Sequence, residues 1–225
     1  MITEINKDTF WALIHEAKEK CGQDMEAMSH ELQDRLMSIG PEQAQAFHDI
    51  LHIYEELADQ YGLWDAANIM MEWCSDDGFI DFRAWLIAQG REVYLAALKE
   101  PDSLADVEPY GNCCFESLTY VGDAAYRQLT GENINENADP AAKEKRKAIQ
   151  EADIIYREDI RFPRPRRALP AAYPRLCAKY GGEERFDTDN IGWNIGLEHV
   201  RSMLEQGKQY DLKKKLSRKK DGEAR

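Results

Sequence analysis

The sequence predicts an all-α fold of some eight or nine helices, and three observations carry the prediction. From Phe10 to Leu129 apolar residues recur at three- and four-residue intervals, the spacing of one helix face. Glycine, alone or in Gly40-Pro41, punctuates these stretches where helices should stop or start. β-strand signals are few.

The first helix covers residues 9–21 with Phe10, Leu13, Ile14 and Ala17 on one face, Asp8 or Thr9 as N-cap and Gly22 as the stop. Trp11 falls off that face and is expected to cover a neighbour or face solvent. Residues 24–39 follow with Met25, Met28, Leu32, Leu36 and Ile39 on one side. A third helix, residues 42–61, aligns Phe47, Ile50, Leu51, Tyr54, Leu57 and Ala58. His48 and His52 on its flank have the spacing of a zinc-binding pair. No third ligand is indicated, and Asp49 is too short for the glutamate of a zinc-protease helix, so a solvated flank is expected. Neither a metal nor a cofactor is expected.

Residues 63–73 are apolar on more than one side, which predicts a central helix buried by several neighbours. Residues 73–90 then concentrate two Trp, two Phe, a Cys, three Asp and an Arg. Ser75, Asp76 and Asp77 are strong N-cap types and Gly78 permits close approach, so a tight turn should join this helix to the next. Arg83 shares a face with Phe79, Phe82 and Leu86. A cation among apolar neighbours needs a partner, and Asp76, Asp77 or a distant carboxylate such as Glu116 are the expected ones. The structural reading is an arginine that staples turn to helix. The functional reading makes Trp73, Cys74, Asp76, Asp77, Arg83, Trp85, Gln89 and Glu116 a pocket or recognition patch.

Val93, Tyr94, Ala97 and Leu98 continue the helical pattern to Pro101, where another helix starts. Phe115, Leu118, Val121, Ala125 and Leu129 mark a helix stopped at Gly131. Residues 131–140 read as a polar loop and residues 143–156 as a charged helix. Residues 161–180 hold four prolines among five arginines, which predicts an extended arm able to wrap over the body. A terminal helix is expected from about Asp187, carrying Ile191, Ile195, Leu197 and Val200, and then a basic tail. This divides the chain into a helical core at 1–130, a linker with charged helix and arm at 131–180, and a terminal helix with tail at 181–225.

Charge is split along the chain. Residues 1–140 carry 28 acidic against 8 basic side chains, and residues 141–225 carry 14 against 21, for a net charge of -13. The acidic body repels nucleic-acid phosphates and favours a basic protein partner, while the basic end could fold back on it. The string from Lys213 to Lys220 reads as a solubilising tail, with weak phosphate contact the lesser reading. No apolar run approaches the ~20 residues that span a bilayer, and the N-terminus lacks the pattern of a secretory signal, so a cytoplasmic location is expected. Cys21, Cys74, Cys113, Cys114 and Cys177 are odd in number and lack zinc or redox spacing, which makes reduced thiols the expectation.

Residues 74–94 resemble the bacterial family known as domain of unknown function 4240. So do the Phe10-Trp11-Ala12-Leu13-Ile14 start, the segments Asp102-Ser103-Leu104-Ala105 and Glu116-Ser117-Leu118-Thr119-Tyr120-Val121, and residues 169–176. The resemblance covers about residues 1–180 and implies a mainly helical domain without implying a reaction; residues after Gly181 depart from it. The charge, size and aromatic content suit a cytoplasmic binding or regulatory protein, such as an inhibitor or immunity-type protein, that engages a basic partner. The alternative is an enzyme of unknown reaction with a pocket around Cys74, Asp76, Asp77, Arg83 and Glu116, in which a thiol beside a helix N-terminus would gain nucleophilicity.

Overall fold

The structure, a computed structural model, describes residues 2–134, 164–181 and 186. The described residues are mainly helical, and no β-strand occurs among them. The first helix, α1 (Lys7–Cys21), is capped two residues earlier than the sequence suggests. Asn6 Oδ1 accepts from the backbone N–H of Asp8 and Thr9 at 3.0 and 3.1 Å, and Thr9 Oγ1 accepts from the Asn6 N–H at 2.8 Å. That reciprocal box satisfies N–H groups that a cap at Asp8 would leave open. Asp24 caps α2 (Met25–Ile39), and Gly40, at φ 105°, releases the chain into α3 (Pro41–Leu57), where proline's missing N–H costs nothing at the first position.

The third helix is shorter than its apolar period implies. The chain turns at residues 58–60 and restarts as α4 (Tyr61–Met70), held by a parallel stack of Tyr61 on Trp64 at 6.1 Å and by Gly62, whose carbonyl accepts from Tyr173. Two further helices, α5 (Asp76–Ala88) and α6 (Arg91–Lys99), lead to a 3-10 turn at Pro101–Asp106 in place of a regular helix. The last long helix, α7 (Glu116–Thr130), lies across α2 and α3 and closes on Gly131 in the left-handed region.

The core begins with aromatic rings from three helices, α1, α3 and α6. Trp11 is 5% exposed, not a surface residue, because Phe10, Tyr54 and Tyr94 surround it at centroid distances of 5.2, 4.7 and 5.4 Å. Each such pair adds about 0.5–1.5 kcal/mol to simple burial. The Tyr94 hydroxyl donates to the Tyr54 carbonyl at 2.7 Å, so the cluster leaves that polar tip satisfied. Between α3 and α7, Gly122 allows backbone approach: an added Cβ would stand 2.7 Å from His48 Cβ and 3.0 Å from the Ala44 carbonyl oxygen.

The Pro/Arg-rich arm winds into helix where the sequence predicts extended chain. After a 3-10 turn at Arg166–Ala168, Leu169–Ala172 (α8) and Pro174–Tyr180 (α9) form short helices, and Pro170 and Pro174 open them rather than break them. Asp65 of α4 anchors the arm. It is wholly buried and accepts from the Arg164 backbone N–H and Nη1, both at 2.9 Å, and from the Tyr173 hydroxyl at 3.3 Å. Burial pushes its carboxyl up to about 6 even though Arg164 and Tyr173 pull the other way. Asp102 caps α9 across the fold, accepting from the N–H of Leu176 at 2.9 Å and of Arg175 at 3.2 Å. The charged helix expected at 143–156, the loop beyond residue 134, the terminal helix and the basic tail lie outside the described residues.

Candidate functional site

The turn between α4 and α5 is built from α4 outward. Asn68 Oδ1 accepts from the Cys74 N–H and Trp64 Nε1 donates to the Cys74 carbonyl, each at 2.9 Å. Ser75 caps α5, its Oγ accepting from the Gly78 N–H at 3.0 Å, while Asp76 and Asp77 are exposed acids of the first helical turn. Those acids favour the positive end of the helix dipole. Glu72 sits at φ 66°, a left-handed conformation that costs a non-glycine residue about 1–3 kcal/mol. The turn so fixed leaves Trp73 outside the central helix and 61% exposed, where the sequence predicts a buried helical residue.

The eight candidate residues divide between the interior and the surface. Cys74, Trp85 and Gln89 are buried. Trp85 belongs to a stack running Trp64, Phe79, Phe82, Trp85, with successive centroids 5.1, 6.2 and 5.5 Å apart, and its Nε1 donates to the Tyr110 carbonyl at 3.3 Å. Gln89 ends α5. Its carbonyl and Oε1 accept from Lys18 Nζ at 2.8 and 3.3 Å on the floor of a cleft of about 390 Å³ that Tyr110 and Glu108 also line. Burial lowers the Lys18 pKa, partly offset by Glu19.

Arg83 meets a distant carboxylate, but not Asp76, Asp77 or Glu116. Its Nη1 donates to the Glu55 carbonyl at 3.1 Å and lies 3.5 Å from Asp59 Oδ1, and its guanidinium sits 5.2 Å from the Phe79 ring centre. Phe79 thus orients the guanidinium toward the end of α3, away from the acids of its own helix N-terminus. This is a helix-to-helix staple, and Asp59 had no local sequence signal to mark it.

Asp77, Asp81 and Glu116 do come together. Phe115 N–H donates to the Asp81 carbonyl at 3.0 Å, which splices the start of α7 to α5. Burial raises the Asp81 pKa, and Glu116, Asp77 and Glu55 raise it further as like charges. Among the described residues no cation pairs with Glu72, Asp76, Asp77, Asp81 or Glu116. Ile80 beside Asp81 is 41% exposed, and Tyr120, one turn beyond Glu116, is 57% exposed. Asp81 was legible in principle, since it follows Asp77 by one turn. Beneath it Glu55 is buried, accepting from Thr119 Oγ1 and lying against His52 Nδ1, both at 2.8 Å; nothing local distinguishes it from its exposed neighbour Glu56.

Other candidates resolve structurally. His48 is buried, not solvated as expected, and meets His52 edge to face at 4.2 Å. Among the described residues no three His, Cys, Asp or Glu side chains are arranged to hold a metal. No disulfide joins any of the five cysteines. Burial pushes Cys74 up to about 12, the opposite of the lowered value that proximity to a helix N-terminus suggested, and Cys113 likewise up to about 12. None of the described helices is long and apolar enough to cross a membrane.

The family described as protein of unknown function (DUF4240) matches residues 5–128, just over half of the chain and ending before the arm. No curated protein and no solved structure matches.

Proposed function

The chain belongs to the DUF4240 family, and from that premise we propose that it is a cytoplasmic binding or regulatory protein of the inhibitor or immunity type, engaging a basic protein partner. The observation that carries this reading is the face formed by the α4–α5 turn and the starts of α5 and α7. It combines carboxylates that no cation pairs with among the described residues with exposed Trp73, Ile80 and Tyr120. Like charges held together against their own repulsion favour a partner that brings cations. An aromatic side chain on a rigid turn loses little entropy on contact, which is why Trp and Tyr dominate binding hot spots. The enzyme alternative draws no support from Cys74, since a buried thiol with a raised pKa is a poor nucleophile.

The test compares immobilised wild-type protein with Trp73→Ala and with the triple variant Asp77→Asn, Asp81→Asn, Glu116→Gln. A basic protein retained by the wild type, released by salt and bound about tenfold more weakly by each variant is the expected result. Equal retention by all three proteins rejects the reading.

A further inference from the structure

Three cations of the described C-terminal arm neutralise carboxylates of the body. Arg164 pairs with buried Asp65 at 2.9 Å, Arg175 with Asp106, and Lys179 with Glu108 at 3.5 Å while also donating to the carbonyls of Ala105 and Val107. In each pair the cation follows residue 160 and the anion precedes residue 110. The carboxylates of the face described above have no such cation among the described residues, and the sequence still holds its densest basic run: Lys213, Lys214, Lys215, Arg218, Lys219 and Lys220.

We infer that the chain's own basic segment, residues 213–220, docks on the Trp73, Ile80 and Tyr120 face and competes there with a basic partner. The inference rests on the reading that this face takes basic protein segments, and it adds an occupant built into the same chain. Charge complementarity selects that occupant, with six cations in eight residues meeting Asp76, Asp77, Asp81 and Glu116. The lysine stems and Leu216 supply apolar surface for the exposed rings, with Lys and Arg keeping their charged ends toward the carboxylates. Reach is sufficient. A chain of the length of residues 187–212 can span at most about 90 Å, and a body of this size is about 40 Å across. A tethered segment also competes at an effective concentration in the millimolar range, so even a weak contact occupies the face until a tighter basic partner displaces it.

The experiment uses the full chain and a zero-length reagent that joins lysine amines to carboxylates, with the linked peptides read by mass spectrometry. Links from Lys213, Lys214, Lys215, Lys219 or Lys220 to Asp76, Asp77, Asp81 or Glu116 are expected. They should vanish at about 1 M salt, where the Debye length is about 3 Å, and excess hexalysine should displace them. Links spread over the whole acidic surface, or no links from the segment, overturn the inference. Saturable binding of hexalysine to the wild type, lost in the triple variant, reports separately on the basic-partner reading. If hexalysine binds the face but the tail links are absent, only the inference falls; if the tail links form but hexalysine fails to bind, the partner reading falls.

Discussion

Gly122→Ala measures how closely α7 must lie on α3 for the site to form. The added Cβ would stand 2.7 Å from His48 Cβ, 3.0 Å from the Ala44 carbonyl oxygen and 3.1 Å from His48 Cα. Ala44 O and His48 Cα are backbone atoms, so no side-chain rotation relieves the contact and one helix must shift. Helix propensity acts the other way, favouring Ala over Gly by about 1 kcal/mol. Overpacking a filled core costs about 1–3 kcal/mol, and two backbone obstacles place this case in the upper half of that range. The net expectation is a loss of about 1–2 kcal/mol, or about 2–8 °C in Tm for a chain of this length. Thr119 lies one turn before Gly122, so the same shift should weaken its 2.8 Å hydrogen bond to buried Glu55. Urea unfolding followed by far-ultraviolet circular dichroism, together with calorimetry, reads the change. An Ala variant as stable as the wild type, or more stable, would falsify the close approach of the two helices.

The other predictions concern single charges and thiols. Asp81→Asn should stabilise the protein near neutral pH by about 0.2–0.5 kcal/mol, since it removes a like-charge contact one helical turn from Asp77. The folded state holds the Asp81 carboxyl above its ordinary value, so its ionised form opposes folding. The gain should therefore be present at neutral pH and fade as pH falls through the folded value towards the ordinary carboxylate range; a gain that grows in acid contradicts this. Asp65→Ala strands Arg164 and should cost about 3–5 kcal/mol, with limited trypsin cutting after Arg166 or Arg167 as the readout of arm release. An arm equally resistant in both proteins rejects the anchor. Asp102→Ala removes the acceptor for two N–H groups of α9 and should cost about 1–2 kcal/mol, visible as faster amide exchange at Arg175 and Leu176. Cys74 should alkylate more slowly than half-buried Cys21 in the native protein at neutral pH, and the reverse order would restore it as a candidate nucleophile.

Legibility tracked the range of the interaction. The periodic faces of α1 to α3, the Ser75 cap region and the glycine stops are encoded within a few residues of where they act. The family resemblance was carried by such local strings, and the matched region at residues 5–128 holds most of them. Local spacing leaves Trp11 open between covering a neighbour and facing solvent, because its partners Tyr54 and Tyr94 lie more than forty residues away. Arg83 was correctly expected to need a carboxylate, but Asp59 was chosen by the crossing of α5 over the end of α3.

By itself the sequence determined an all-α chain, an acidic body with a basic end, and a capped turn before α5, because period, composition and capping are properties of neighbouring residues. Only the tertiary structure decided that Cys74, Trp85 and Gln89 are interior, that Trp73 faces outward, and that Asp81 joins Asp77 and Glu116. Those outcomes depend on which helices touch: burial and like-charge crowding are set by distances between elements, and no local spacing carries those distances.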